Sequence, residues 1–243
     1  MASALQFFPT IGSTNDVAIA TAREGVAVVA EQQTAGRGRR GHVWFSPPGS
    51  GLYASIVLTP ARARIDPARA TTLLTIAVGV GVSEGIEAAT GLRTDLKWPN
   101  DVFVHGRKLA GILAEACAAA GAVQHVVAGY GINVGVSAYP PEVRDRATSL
   151  ESELGRAVDR YVVLAETLAS IAARYDDLLD GRFDAILDAW RARAPLAQGA
   201  TVRWTDSSGA HQGVTAGIDE QGALLVKVGD RIERIVAGEL TWA

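Results

Sequence analysis

The stretch Thr34–Trp44 reads T-A-G-R-G-R-R-G-H-V-W. A packed core has no use for that combination, but an anion site does. Gly36, Gly38 and Gly41 permit positive φ and let a ligand approach the backbone. Arg37, Arg39 and Arg40 present fixed-charge planar forks that suit phosphate or carboxylate oxygens. Trp44 supplies a flat apolar face for a ring. The glycines also spell G-x-G-x-x-G. A dinucleotide fingerprint needs a helix to open inside the loop, whereas this loop runs into W-F-S-P-P-G, so the Rossmann reading fails. Anion binding by side-chain forks and loop amides remains, against the alternative of a solvated Arg-rich hairpin.

Other polar residues stand where apolar strands begin or end. Lys97-Trp98-Pro99-Asn100-Asp101 opens a hairpin turning at His105-Gly106, so Asn100 and Asp101 sit at its mouth, facing a ligand or closing an Asx turn. Lys108 opens a run, Leu109–Ala114, that should be buried. It needs an anionic partner or a shifted pKa, unless it is an edge lysine with its head in water. Gly129-Tyr130-Gly131-Ile132-Asn133 ends a strand with two glycines beside an amide, the mark of close approach to a ligand or of a β-bulge. Ser13 or Thr14 is placed to cap a helix over Asn15–Arg23, a role compatible with a ligand contact.

The elements that must position these residues follow from periodicity. Leu5–Pro9, Val26–Ala30, Leu52–Leu58, Leu92–Lys97, Val102–Val104, Arg107–Glu115 and Val123–Val134 read as strands. Ala68–Thr90 reads as a buried helix ending near Gly91, and Val162–Leu179 and Phe183–Arg193 as further helices. Pro195 and Gly199 mark a boundary. Beyond it Thr201–Trp204, Gly213–Ile218, Ala223–Val228 and Arg231–Val236, with turns such as Asp206–Gly209 between them, suggest a small barrel. Two domains are expected, 1–194 and 195–243.

The chain has 243 residues and a net charge of −3, which argues against a protein that coats nucleic acid. Cys117 is the single cysteine, so no internal disulfide exists and a reducing cytoplasm is expected. One Cys and four scattered His argue against a zinc site by composition. The most apolar stretch, Leu73–Val82, reads as too short to span a bilayer.

Taken in order, Ser13-Thr14-Asn15, Gln33–Gly41, Trp44-Phe45-Ser46-Pro47, Lys97–Asp101, Lys108–Leu113, Gly131–Val134, Gly217-Ile218-Asp219 and Gly222-Ala223-Leu224 resemble the biotin protein ligases over nearly the whole chain. The resemblance implies an α/β (α+β) fold. Its catalytic domain has a mixed sheet similar to class II aminoacyl-tRNA synthetases, and a small C-terminal SH3-like β-barrel follows. It implies two steps: biotin and MgATP give biotinyl-5′-AMP and pyrophosphate, then a lysine of a biotin carboxyl carrier domain takes the biotinyl group. On the same basis Ser13, Thr14, Asn15 and Gln33 would bond the ureido head of biotin. Gly36, Arg37, Gly38, Arg39 and Gly111 would complete its site. Arg37, Arg39, Arg40, Trp44, Asn100 and Asn133 would meet the nucleotide or its metal, whose ligands the sequence does not identify. Lys108 and Arg39 would be catalytic, Lys108 between carboxylate and α-phosphate. The loop would be mobile and close over an anhydride that water would destroy.

Two departures matter. His42 stands where many relatives carry a basic residue, so the loop's last charge would be weaker or pH-dependent. Some relatives also carry an N-terminal DNA-binding module. This chain begins almost at the first catalytic strand, so no DNA partner is expected, nor a membrane, and the expected state is a monomer or weak homodimer. The alternatives are a lipoate or octanoate ligase of the same fold, an Arg-loop nucleic-acid regulator, and a non-catalytic biotin binder.

Overall fold

The computed structural model describes residues 4–119, 121–136, 139–206, 209–238 and 240–242. The chain runs β1 (Ala4–Phe8), α1 (Thr14–Thr21), β2 (Val26–Ala30), β3 (Gly51–Leu58), α2 (Pro67–Thr90), β4 (Asp95–Lys97), β5 (Asp101–Val104), β6 (Arg107–Ala119), β7 (Ala122–Asn133), α3 (Leu150–Leu154), α4 (Arg160–Leu179) and α5 (Phe183–Arg191). Then come β8 (Gln198–Asp206), β9 (Gly209–Ile218), β10 (Leu224–Val228), β11 (Arg231–Ile235) and β12 (Thr241–Trp242). The first seven strands form one sheet in the order β1-β2-β3-β7-β6-β5-β4. It is mixed: β1 and β2 are parallel, and every other neighbouring pair is antiparallel. The last five strands form an antiparallel sheet in the order β11-β10-β9-β8-β12.

Register decides which residues face the site. Tyr53, Gly131 and Gly111 lie in one row across β3, β7 and β6, and Ser55, Gly129 and Leu113 in another. Side chains alternate between faces, so these rows share the front. The intervening residues Ala54, Ile56, Ala128, Tyr130, Ile132 and Ile112 point back into the main core with α2 and α4. With α1 over the front as well, β2 and β3 are buried at every position, which explains their unbroken apolar runs.

Helix α2 starts where Asp66 accepts a hydrogen bond from the Arg69 N–H and Pro67 takes the first turn, and it stops at Gly91 with φ 78°. It packs closely on α4 because Gly81 and Gly85 lack side chains. A Cβ at Gly85 would lie 2.4 Å from the Thr167 Cα, and one at Gly81 2.7 Å from the Ile171 Cα. The 24-residue α2, with mean hydropathy 1.3 over its most apolar window, is long and apolar enough to cross a membrane, which corrects the shorter reading of this stretch. That window is 67% buried inside the protein, as a core helix requires.

Other differences have local causes. Only Asp95–Lys97 of the expected strand 92–97 pairs, because the Thr94 and Ser83 hydroxyls, 2.7 Å apart, tie the preceding residues to α2. The piece around Leu150–Leu154 contains a helical turn, capped by the Ser149 hydroxyl accepting from the Ser152 N–H at 3.3 Å, that its charged sequence concealed. Ser13 occupies the α1 N-cap position without a side-chain cap bond. The Gln33 Oε1 accepts from the Thr14 N–H at 2.8 Å instead. β12, a two-residue strand, has no periodicity to read. Of the expected turn 206–209, residues 207 and 208 lie outside the described residues.

Candidate active site

A cleft of 720 Å³ opens over the front of the sheet, within the size range of small-molecule sites. Its floor is β6 and β7, and its walls are the start of α1, the loop before β3, the β4–β5 corner, segment 139–147 and the end of the barrel. Three glycines of that floor leave no room for a side chain. A Cβ at Gly129 would lie 2.0 Å from the Asn15 Oδ1, and one at Gly131 2.3 Å from the Trp44 Nε1. One at Gly111 would lie 3.1 Å from the Trp44 ring. Pairing is regular through both β7 glycines, so they are close-approach positions and not a bulge.

One end of the cleft is a dense polar wall. Ser13, Thr14 and Asn15 are each 3% exposed. The Thr14 hydroxyl donates to the Gln33 Oε1 at 3.1 Å, and the Gln33 Nε2 donates to the Ser46 Oγ at 3.1 Å. The fully buried Ser55 hydroxyl donates to the Asn15 Oδ1 at 2.5 Å and lies 2.7 Å from the Thr14 Oγ1. The Asn15 Nδ2 donates to the Glu115 Oε2 at 2.5 Å. These fixed donors and acceptors suit a compact polar head group, and would leave unpaired groups against an apolar one.

The other end is cationic. Lys108 pairs with Asp101, Nζ to Oδ1 at 2.6 Å, which supplies the anionic partner its position demanded. Its ammonium also lies 5.5 Å from the centre of the Trp44 ring. Backbone bonds from Lys108 N–H to the Arg146 carbonyl and from Thr148 N–H to the Lys108 carbonyl fix the start of β6 against segment 146–148. The Asn133 Nδ2 donates to the Thr148 carbonyl at 2.9 Å from the far side. Asn100 donates to the Ile112 carbonyl at 2.7 Å and accepts from Arg39 at 3.2 Å. Lys97 sits 4.7 Å from the Phe103 ring centre and 5.3 Å from that of Trp242. Burial holds its pKa below the ordinary lysine value, with Asp101 opposing and Lys108 reinforcing the shift.

The loop is a tight hairpin, not a helix N-terminus. Arg37 bridges to Val43, the Gly38 N–H donates to the His42 carbonyl at 2.7 Å, and only residues 39–41 make a 3₁₀ turn. Its arginines diverge. Arg37 pairs with Asp16 at 2.6 Å and Glu115 at 3.0 Å, on the α1 side and away from Lys108. Burial works against the charge of Arg37, and those two carboxylates outweigh it. Arg39 turns to Asn100. Burial, with Arg40 beside it, lowers its pKa, while Asp101 opposes, and a guanidinium stays charged throughout. Arg40 lines the cleft and also a neighbouring cavity bordered by Gln221, Gly222 and Arg234.

The structure thus brings Ser13, Thr14, Asn15, Gln33, Arg37, Gly38, Arg39, Arg40, Trp44, Asn100, Lys108, Gly111 and Asn133 around one cleft. Gly36 lies behind its wall, with the Trp44 carbonyl 2.5 Å from where its Cβ would stand. The residue reading missed Ser55, Lys97 and Glu115 as members of the site, and it placed Asp101 at the hairpin mouth without pairing it to Lys108. A serine inside the otherwise apolar run of β3 was the visible signal for the first. Nothing in the sequence joined Glu115 to Asn15 a hundred positions earlier.

Comparison with known proteins accounts for this arrangement. Residues 7–133 match the biotin/lipoate A/B protein ligase family, and residues 199–240 match the biotin protein ligase C-terminal domain. A biotin–[acetyl-CoA-carboxylase] ligase of Mycobacterium tuberculosis is 36% identical over 94% of this chain and 85% of its own. That of Paracoccus denitrificans is 35% identical over 82% and 83%. The solved structure of biotin protein ligase from Aquifex aeolicus in complex with biotin and ATP superposes with a TM-score of 0.85, at 30% identity over 99% of both chains. The chain belongs to the biotin/lipoate A/B protein ligase family, in its biotin protein ligase branch.

Proposed function

We propose that this cleft joins biotin to ATP and then passes the biotinyl group to a lysine of a biotin carboxyl carrier domain. The observation that carries this reading is one cleft with two unlike ends: a neutral, fixed polar wall at Thr14, Asn15, Gln33 and Ser55, and a cationic end at Lys108 and Arg39. The ureido head of biotin suits the first. The second suits a carboxylate meeting an α-phosphate, two anions that repel unless cations lie between them. Arg37, Arg40, Trp44, Asn100, Asn133 and Gly38 serve the nucleotide and the closing loop, and Gly36 and Gly111 give backbone room. No protein nucleophile is required. Mg²⁺ would enter with ATP, held by phosphate oxygens and its own waters, and Asp101 is the one carboxylate lining the cleft among the described residues. In this reading residues 1–194 do the chemistry and residues 195–243 form the appended barrel. The protein works in the cytoplasm as a monomer or weak dimer without a DNA partner.

The test is pyrophosphate release from ATP by the purified protein with biotin, lipoate or octanoate. Release with biotin alone, lost in Lys108→Ala, is expected. Release with lipoate or octanoate alone would move the assignment to the other branch of the family. Tight biotin binding without release would leave a binding protein.

A further inference from the structure

We propose that Glu153 of α3, which does not line the cleft, is a positioning residue: it clamps the main chain of Lys108 and so decides where the Lys108 ammonium stands. This rests on the adenylation reading for its weight in catalysis, and adds to it a residue that touches no substrate.

Lys108 needs such support because the sheet holds it loosely. On one side the pairing of β6 with β7 begins at Ala110, opposite Ile132, and does not reach Lys108. On the other side the ladder with β5 is irregular. Phe103 lies opposite Lys108 and Val102 opposite Ala110, so Leu109 is an extra residue. Segment 146–148 takes the place beside Lys108 that β7 does not fill. Ala147 forms a parallel bridge to Lys108. The Lys108 N–H donates to the Arg146 carbonyl at 2.7 Å, and the Thr148 N–H donates to the Lys108 carbonyl at 2.9 Å. This segment belongs to no regular strand, so it must itself be tied down.

Glu153 ties it. Its carboxylate accepts from the Thr148 hydroxyl and from Arg107 at 2.7 Å, and it lies 2.9 Å from the His105 Nδ1. An ionised carboxylate has lone pairs enough for all of these. Thr148 flanks Lys108 across the bridge, while His105 and Arg107 precede it on the β5–β6 hairpin. One side chain therefore joins the two strips of main chain between which Lys108 is held. The Asn133 Nδ2 and the Tyr139 hydroxyl fix the same segment from the other side, donating to the Thr148 carbonyl at 2.9 and 3.2 Å. His105 and Arg107 are exposed, so both can rehydrate when the carboxylate is lost, and the fold survives its removal.

The reaction makes this clamp matter. A biotin carboxylate oxygen bonds to the α-phosphorus of ATP, the bond from that phosphorus to the α,β-bridging oxygen breaks, and diphosphate leaves with the electron pair. Lys108 offsets the charge of the two reactants, and a misplacement of about 1 Å costs on the order of 10²-fold in rate. Glu153 acts on the rate through Lys108 and leaves the polar wall of Thr14, Asn15 and Gln33 undisturbed.

The test has a readout that needs no activity. The chain has three lysines, Lys97, Lys108 and Lys227, so lysine isotopically labelled at Cε gives three NMR signals, and Lys108→Ala assigns one of them. The Lys108 Cε and the Trp44 ring meet beside Gly111, 3.3 and 3.1 Å from where its Cβ would stand, so the ring displaces that signal. In Glu153→Gln the Lys108 signal is expected to lose this displacement while that of the exposed Lys227 stays in place. Thr148→Val, which removes only the hydroxyl, should do the same. The single-turnover rate of biotinyl-5′-AMP formation should fall about 10–100-fold in Glu153→Gln, with the Kd for biotin unchanged within about twofold. In a Lys108→Ala background Glu153→Gln should bring no further loss, which separates positioning from a general loosening of the fold. An unmoved Lys108 signal overturns the proposal, and so does a rate loss of the same factor in both backgrounds. A Lys108 signal that responds to Glu153→Gln, in a protein that never adenylates biotin, would uphold the clamp and overturn the adenylation reading.

Discussion

In the proposed reaction, Lys108 and Asp101 form the pair on which the chemistry turns. At 2.6 Å the carboxylate holds the ammonium at the cationic end of the cleft, beside the Trp44 ring. Removing the ammonium removes a charge aimed at the transition state, so Lys108→Ala should lower the rate of biotinyl-5′-AMP formation by about 10²–10³. Single-turnover assays with labelled ATP would show it, and biotin affinity should change far less. Gly129 supplies a different check. A methyl group there would lie 2.0 Å from the Asn15 Oδ1 and must push that side chain off Ser55 and Glu115. Biotin affinity measured by calorimetry should fall at least about tenfold in Gly129→Ala, the worth of one displaced polar contact. Unchanged affinity would detach Asn15 from the head-group site. At this scale the types of the site residues were legible in the sequence, and their partners were not. Gln33 looked like a ligand contact and also caps α1 in place of Ser13, because a side chain's partner depends on folding that brings positions 14 and 33 together.

Among the elements, the β5–β6 hairpin is set by a buried carboxylate. The Glu153 side chain on α3 is 4% exposed and meets His105 at 2.9 Å, Arg107 at 2.7 Å and the Thr148 hydroxyl. Burial alone would raise its pKa, but the bonds from Thr148 and His105 and the charge of Arg107 hold it below the ordinary carboxylate value. A depressed folded-state pKa gives stability that is present above the unfolded value of about 4.3 and lost as pH falls through the folded one. Melting temperature should therefore drop less between pH 6 and pH 3 in Glu153→Gln than in wild type. Equal slopes would remove Glu153 from acid stability. The α2–α4 contact predicts a larger effect at neutral pH. Gly85→Ala forces a methyl group to within 2.4 Å of the Thr167 backbone. It should lower the melting temperature by roughly 2–10 °C in calorimetry, as overpacking a core does. The strands and long helices were readable because their periods survive in any context. The one-turn α3 and two-residue β12 were not, because tertiary contacts alone hold elements so short.

The whole molecule is two sheets joined through the corner that carries the site. The Trp98 Nε1 donates to the Gly222 carbonyl at 3.0 Å, and Arg69 and Arg191 donate to the Glu220 and Ile218 carbonyls. Trp98→Phe should loosen the barrel by about 1 kcal/mol, seen as faster proteolysis near residues 192–199 while the catalytic sheet stays intact. That the chain ends in a small β-unit was visible from its turns. That the unit leans on the residues flanking Asn100 was not, since a tryptophan beside a proline reads equally well as a bend.

The bare floor of the cleft has a consequence for anyone redesigning it. At Gly111, Gly129 and Gly131 the floor is peptide, and a side chain added at any of them would run into Asn15 or Trp44. A version accepting a bulkier acid must be carved from the wall at Thr14, Gln33 and Ser55, where side chains exist to be shortened. Libraries that randomise the floor would spend their diversity on closed clefts.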